Sequence, residues 1–354
     1  MRCALLAAAI WRAAAAAAAA RPNILYLMAD DMRPQLGAYG QALMKTPQLD
    51  ALAASSLVFD AAYTQFSYCA PSRASFLTGR RPDRTKVLNF DHTFREFHPN
   101  WTTLPEYFKN QGYFTTAAGK IFHDGEDDPQ SWSFASNQTQ WVEKALGDDC
   151  DAMYNYCAIT PQSVVSYTDE DLVLHEGLLR LRAANASGQP WFVGIGVHRP
   201  HWPSRLPAEW TGPVVYPDGV VGPKHPGPVQ SEVWMSGDYL ASDYKDDAFG
   251  CPNCSAPANH TLEYRRWYYA SVSYADHMLG QALALLDELG PATRDNTIVV
   301  FHSDQCALSG AAPAAARAAP HPPPLPLPAA ATSSASSTSG ARKPIMSSQH
   351  AFPL

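Results

Sequence analysis

The run Asn23-Ile24-Leu25-Tyr26-Leu27-Met28-Ala29, closed by Asp30-Asp31, decides the fold. It carries no charge and shows no polar alternation, and it is shorter than a buried helix. It therefore reads as a strand covered on both faces, as in a parallel sheet. Three more apolar runs follow, each ending in ionisable or polar residues. Tyr113–Ala118 leads into Gly119-Lys120-Ile121-Phe122-His123, and Trp191–Val197 into His198-Arg199-Pro200-His201. Thr297–Phe301 leads into Ser303-Asp304-Gln305, and Leu57-Val58-Phe59 adds a shorter strand. Helical patterns lie between them at Pro47–Ala53, Leu104–Asn110, Asp169–Ala184 and Leu262–Leu289, the last stopped by Gly290-Pro291. Such alternation predicts an α/β fold, a doubly wound and mostly parallel sheet with helices on both faces.

Open α/β sheets bind ligands beyond the carboxyl ends of their strands, where these polar clusters fall. Neighbouring strand residues point to opposite faces, so Asp30 and Asp31 can converge only if the chain turns there. Two carboxylates brought together repel one another unless a cation lies between them, and a hard divalent ion with oxygen ligands suits that need. Asp304 is a further carboxylate at a strand end. Lys120 and His123, three residues apart, can both face an anion. The plainer readings are a solvated acidic turn, a snorkelling lysine and a satisfied core histidine.

The second informative stretch is Cys69-Ala70-Pro71-Ser72-Arg73, followed by Leu77-Thr78-Gly79-Arg80. Pro71 suits the first turn of a helix, where a missing N–H costs nothing. Cys69 is then expected just before the helix, where exposed amides and the dipole favour an anion. The C-x-P-S-R and T-G-R elements resemble the signature of the type I sulfatases. Thr46-Pro47-Gln48-Leu49-Asp50 is similar to their T-P-N-I/L-D segment, and Gly119-Lys120 through His123 to their G-K-x-x-H. His198-Arg199-Pro200-His201-Trp202-Pro203 resembles, more narrowly, H-K-P-H-x-P of the iduronate-2-sulfatase branch. Ser303-Asp304-Gln305 departs from that branch's S-D-H-G.

The resemblance implies the alkaline-phosphatase-like (sulfatase) form of the fold and hydrolysis of sulfate esters on a sulfated carbohydrate. It implies that Cys69 is oxidised to formylglycine by a formylglycine-generating enzyme, and that Asp30, Asp31, Cys69, Asp304 and Gln305 hold Ca2+, or alternatively Mg2+. Arg73 would then pair with the formylglycine oxygen or the sulfate, and Lys120, His123 and His198 would neutralise charge on sulfate and protonate the departing sugar oxygen; His201 is left open between a role there and a simple turn residue. Relatives of the same fold that act on phosphonates or phosphodiesters leave that chemistry open, as does a non-catalytic sulfatase-like protein.

Of 354 residues, 46% are hydrophobic and 17% charged, with a net charge of -7, so no general polyanion-binding surface is advertised and nucleic acid is not an expected partner. Residues 1–20, basic at Arg2 and then alanine-rich, read as a signal peptide rather than a membrane anchor. Sequons at Asn100, Asn137, Asn185, Asn253 and Asn259 agree with a secretory route, as do the pairs Cys150/Cys157 and Cys251/Cys254 read as disulfides, a zinc half-site being the rival for the latter. The expected destination is lysosomal, vacuolar or extracellular, with the cytoplasm open if residues 1–20 are not a leader. Residues 21–306 form the expected catalytic domain. Residues 307–354, rich in Ala, Pro and Ser, are expected to be disordered, as in a truncated isoform, a misjoined gene or a divergent tail.

Overall fold

The computed structural model describes residues 21–123, 126–134, 156–159, 169–202, 204–221, 258–305 and 345–350. Side chains of 156–159, 169–172, 258–261, 264 and 345–350 are outside the description. The leader, Cys150, Cys251 and Cys254, and residues 307–344 and 351–354 lie outside the described residues, and so does the side chain of Cys157.

The strands are β1 (Asn23–Asp30), β2 (Leu57–Tyr63), β3 (Phe114–Gly119), β4 (Tyr156–Ile159), β5 (Trp191–Pro200), β6 (Ser204–Pro207), β7 (Thr297–Ser303) and β8 (Ile345–His350). Six of them form one sheet in the order β2-β8-β7-β1-β5-β3, with every pairing parallel. β4 and β6 form a separate parallel pair. All five expected strands are present at their expected places. The expectation of a structureless tail is corrected at Ile345–His350, which lies between β7 and β2. Its Ile-Met start follows Pro344 after a long Ala/Pro/Ser stretch, and two apolar residues gave too little pattern to mark a strand. What places it is the pair of open ladder edges on either side, whose N–H and C=O groups need partners.

β1 is buried along its whole length and feeds two cores by alternation. Leu25, Leu27 and Ala29 face one core, with residues of α1 (Pro47–Ala54), α4 (Asp169–Ala186) and α5 (Ala258–Glu288). Ile24, Tyr26 and Met28 face the other, with Ala70, Ala74 and Leu77 of α2 (Cys69–Thr78) and, at its margin, Leu104 and Phe108 of α3 (Leu104–Asn110). Right-handed crossovers explain the division. The chain moves along the sheet in one direction through α1, α4 and α5, and returns from β2 to β3 through α2 and α3. β1 thus sits at a switch point, with its successors on opposite sides, the position at which a doubly wound sheet opens a crevice.

α2 begins one residue earlier than the sequence suggested: Cys69 is its first residue, and Tyr68, in extended conformation, caps it. Gly79 ends the helix at φ 66°, a conformation that costs glycine nothing, and its N–H returns to the Ser75 carbonyl.

Candidate active site

The ends of β1, β3, β5 and β7, neighbours in the sheet, bring Asp30, Lys120, His198 and Asp304 to one edge, and the start of α2 adds Cys69 and Arg73. Asp30 is fully buried and occupies the centre. Its Oδ1 accepts from Arg73 at 2.9 Å, and its Oδ2 is 2.6 Å from Lys120 Nζ and 3.6 Å from His198 Nε2. Cys69 Sγ lies 3.6 Å from Asp30 Oδ1. Burial pushes the Asp30 carboxyl up, but Lys120 and Arg73 outweigh it and hold it well below the usual range.

The turn that the acid pair requires is present. Pairing of β1 with β5 shifts register between Ala29 and Asp30, and Asp31 adopts φ 58°. Its N–H then reaches Asp304 Oδ1 at 3.0 Å. Oxygens of Asp30, Asp31 and Asp304 lie within 4.8 Å of one another. Burial raises the pKa of both Asp31 and Asp304, with the Asp30 charge adding in both cases. Three crowded carboxylates, two of them reluctant to ionise, form the oxygen-rich donor set that fits a hard divalent cation.

Arg73 departs from its expected role. Its Nε donates to Asp304 Oδ2 at 3.0 Å, its NH2 group to Asp30, and its NH1 group to the carbonyls of Lys120 and Ile121. The guanidinium, 1% exposed, is an internal clamp on two carboxylates and the end of β3, not a group turned toward an incoming oxyanion. The physical reason is its position one turn into a buried helix, level with both acids. Gln305 is also corrected. Its Nε2 donates to Asp31 Oδ1 at 2.6 Å and to Cys69 Sγ at 3.2 Å, so the amide presents donors where a ligand oxygen was expected. A carboxylate and a sulfur are both electron-rich, and the NH2 end satisfies both.

His123 stacks on Phe90 with centroids 4.3 Å apart. Burial lowers its pKa to about 3, with Lys120 and Arg73 adding to the effect. Burial likewise puts His198 well below its usual value, helped by His201 and Lys120. Both imidazoles are therefore neutral at physiological pH. Cys69 is the free cysteine among the described residues, and burial, then Asp30, pushes its thiol up.

Several residues at the site went unread in the sequence. His201, left open between a site role and a turn, places Nε2 3.5 Å from Asp31 Oδ2; the H-x-x-H spacing across the end of β5 was its signal. Thr64 and Ser72 both donate hydroxyls to the Asp304 carbonyl. Ser303 Oγ accepts from Met32 N–H and donates to the Gln305 carbonyl. Tyr268, far away on α5, bonds to the backbone around Asp31. Ser72 and Ser303 lie within the quoted C-x-P-S-R and Ser303-Asp304-Gln305 segments without having been given a role, and no local pattern announces Thr64 or Tyr268.

A parallel sheet whose strand ends gather a buried cysteine, three carboxylates and a lysine defines the alkaline-phosphatase-like class. The chain belongs to the sulfatase family, whose family model, Sulfatase, matches residues 22–328. It is 36% identical over 301 residues to the iduronate 2-sulfatases of Mus musculus and Homo sapiens, covering 80% of this chain and 54% of each relative. The chain thus spans about half the length of these relatives. Among solved structures it is similar to the phosphonate monoester hydrolase of Silicibacter pomeroyi, with a TM-score of 0.59 and 20% identity over 80% of this chain and 62% of that one. At that identity the likeness establishes the fold.

Proposed function

We propose that this chain is a sulfuric ester hydrolase of the iduronate-2-sulfatase type, acting on a sulfated sugar. The observation that carries the reading is the position of Cys69 Sγ, 3.6 Å from Asp30 Oδ1 and 3.2 Å from Gln305 Nε2, beside an Asp30 carboxylate that is itself clustered with those of Asp31 and Asp304. Formylglycine, formed from Cys69 by a formylglycine-generating enzyme, would supply a hydrated aldehyde as the nucleophile. Asp30, Asp31 and Asp304 would hold the divalent cation, Ca2+ or Mg2+, which supplies charge compensation at the reacting oxygens. Gln305 joins that set only by rotating its amide to turn the oxygen inward.

The remaining residues act through position and charge. Arg73 fixes Asp30 and Asp304 relative to one another. Lys120 offsets Asp30 and adds positive potential where a sulfate oxygen arrives. His198 and His123, neutral in the free site, offer N–H donors to an ester anion; the negative charge of that anion favours their protonated forms and so prepares a proton for the departing sugar oxygen. A secretory location agrees with residues 1–20 and with the sequon at Asn100, which is exposed.

The experiment is co-expression with a formylglycine-generating enzyme, hydrazide labelling of the Cys69 peptide, and sulfate release from a 2-O-sulfated uronate disaccharide beside a phosphonate monoester. Aldehyde together with sulfate release, both lost in Cys69→Ala, is the expected result. Hydrolysis of the phosphonate alone would move the chain to phosphorus chemistry. Aldehyde without turnover on either ester would make it a non-catalytic member of the family.

A further inference from the structure

The pocket contains a second donor set that the oxygen site does not use. We propose that, while Cys69 remains a thiol, Cys69, Asp30 and His201 form a binding site for a borderline transition-metal ion of the zinc type. The inference needs no esterase activity and concerns the unconverted chain.

Three observations support it. First, Cys69 Sγ, a carboxylate oxygen of Asp30 and a ring nitrogen of His201 lie within 4.8 Å of one another. One sulfur, one imidazole and one carboxylate, with a fourth position open, are the ligands of a reactive zinc centre, whereas the Asp30/Asp31/Asp304 set contains oxygen alone. Second, His201 is oriented for the task. Its Nδ1 faces the Trp202 carbonyl, which can only accept, so the ring proton sits there. Nε2 is turned inward toward Asp31. A ligating histidine whose other nitrogen is held by a carbonyl is the usual arrangement around protein-bound metals. His201 is 26% exposed in its side chain, which gives an ion a path from solvent.

Third, the charges balance. With all three carboxylates ionised, the state that an entering cation favours, Arg73 and Lys120 offset two of them and leave one negative charge. Binding a divalent ion with loss of the thiol proton forms one metal–sulfur bond, releases one proton to solvent and brings that excess to zero. The Gln305 N–H group, 3.2 Å from Cys69 Sγ, donates to the resulting thiolate. Asp30 belongs to both sets, so the soft and hard ions exclude one another, and conversion of the sulfur to an aldehyde would remove the soft site while leaving the three carboxylates.

The test uses the chain produced without a formylglycine-generating enzyme, its Cys69 thiol verified by mass, titrated with Co2+ as a spectroscopic stand-in for zinc. A near-ultraviolet thiolate-to-cobalt charge-transfer band, saturating at one ion per chain and bleached by Zn2+, is the expected result. It should vanish in Cys69→Ser and fall sharply in His201→Ala and His201→Gln, but persist in Asp304→Asn, with circular dichroism confirming that each variant is folded. No band in the folded parent chain would overturn the proposal, and so would a band of equal strength in both His201 variants. Loss of the band in Asp304→Asn would make Asp304 a required ligand, so that Cys69, Asp30 and His201 do not by themselves form the site, and would overturn the proposal as well.

Discussion

The Tyr268 hydroxyl bridges the turn at Asp31, donating to the Asp31 carbonyl at 2.8 Å and accepting from the Arg33 N–H at 2.9 Å. One phenol from α5 therefore ties both flanks of Asp31, a non-glycine residue held at positive φ. Tyr268→Phe keeps the ring in its core and removes both bonds. The expected cost is about 1–3 kcal/mol of stability, with about a 10–100-fold loss of divalent-cation affinity through misplacement of the Asp31 carboxylate. Calorimetric titration with Ca2+ reads the second effect directly. An unchanged affinity would show that Asp31 is held by its other contacts alone.

Arg73 and Asp30 form an ion pair with both partners excluded from water. Arg73→Met leaves Asp30 and Asp304 with less compensation and should cost about 3–5 kcal/mol in chemical denaturation. The double variant Arg73→Met/Asp30→Asn should cost clearly less than the two single losses combined, because no uncompensated charge remains. Additive losses would mean that the pair does not interact.

Gly119 precedes Lys120 with φ 70°, and a Cβ there would lie 2.1 Å from the Gly196 carbonyl oxygen on β5. Gly119→Ala must separate β3 from β5 at the point where Lys120 enters the site. A loss of at least about 1–3 kcal/mol is expected from backbone strain alone, together with weaker Lys120–Asp30 pairing. A thermal midpoint equal to that of the parent would contradict this placement.

Asp276 of α5 accepts the N–H groups of Gln48 and Leu49 and so caps α1 from another helix. Burial raises its pKa to about 6, despite those bonds. The folded chain therefore holds this proton more tightly than the unfolded one, and stability from Asp276 falls as pH rises from about 4 to 6, then levels off. In Asp276→Asn the stability–pH curve should lose that downward component. Superimposable slopes for parent and variant across this interval would show that Asp276 does not titrate there.

What the sequence determined by itself is the sheet and its ionisable edge. Uncharged runs such as Asn23–Ala29 and Trp191–Val197 have no exposed face to offer and can only be interior strands, and the polar residues after them necessarily land at the strand ends. Asp30, Asp31, Lys120, His198 and Asp304 were legible for that reason, and Cys69 through its C-x-P-S-R segment at a helix start. Tertiary structure alone decided how their functional atoms are employed. Arg73 is spent on Asp30, Asp304 and two carbonyls because α2 enters the crevice at the level of both acids, a depth that no local pattern encodes. Gln305 turns its NH2 end inward because Asp31 Oδ1 and Cys69 Sγ, 274 and 236 residues away along the chain, both require a donor. Tyr268 and β8 follow the same logic: a phenol in a long helix and six residues after a low-complexity stretch gain their places from partners distant in sequence, whose unsatisfied backbone groups must be met somewhere.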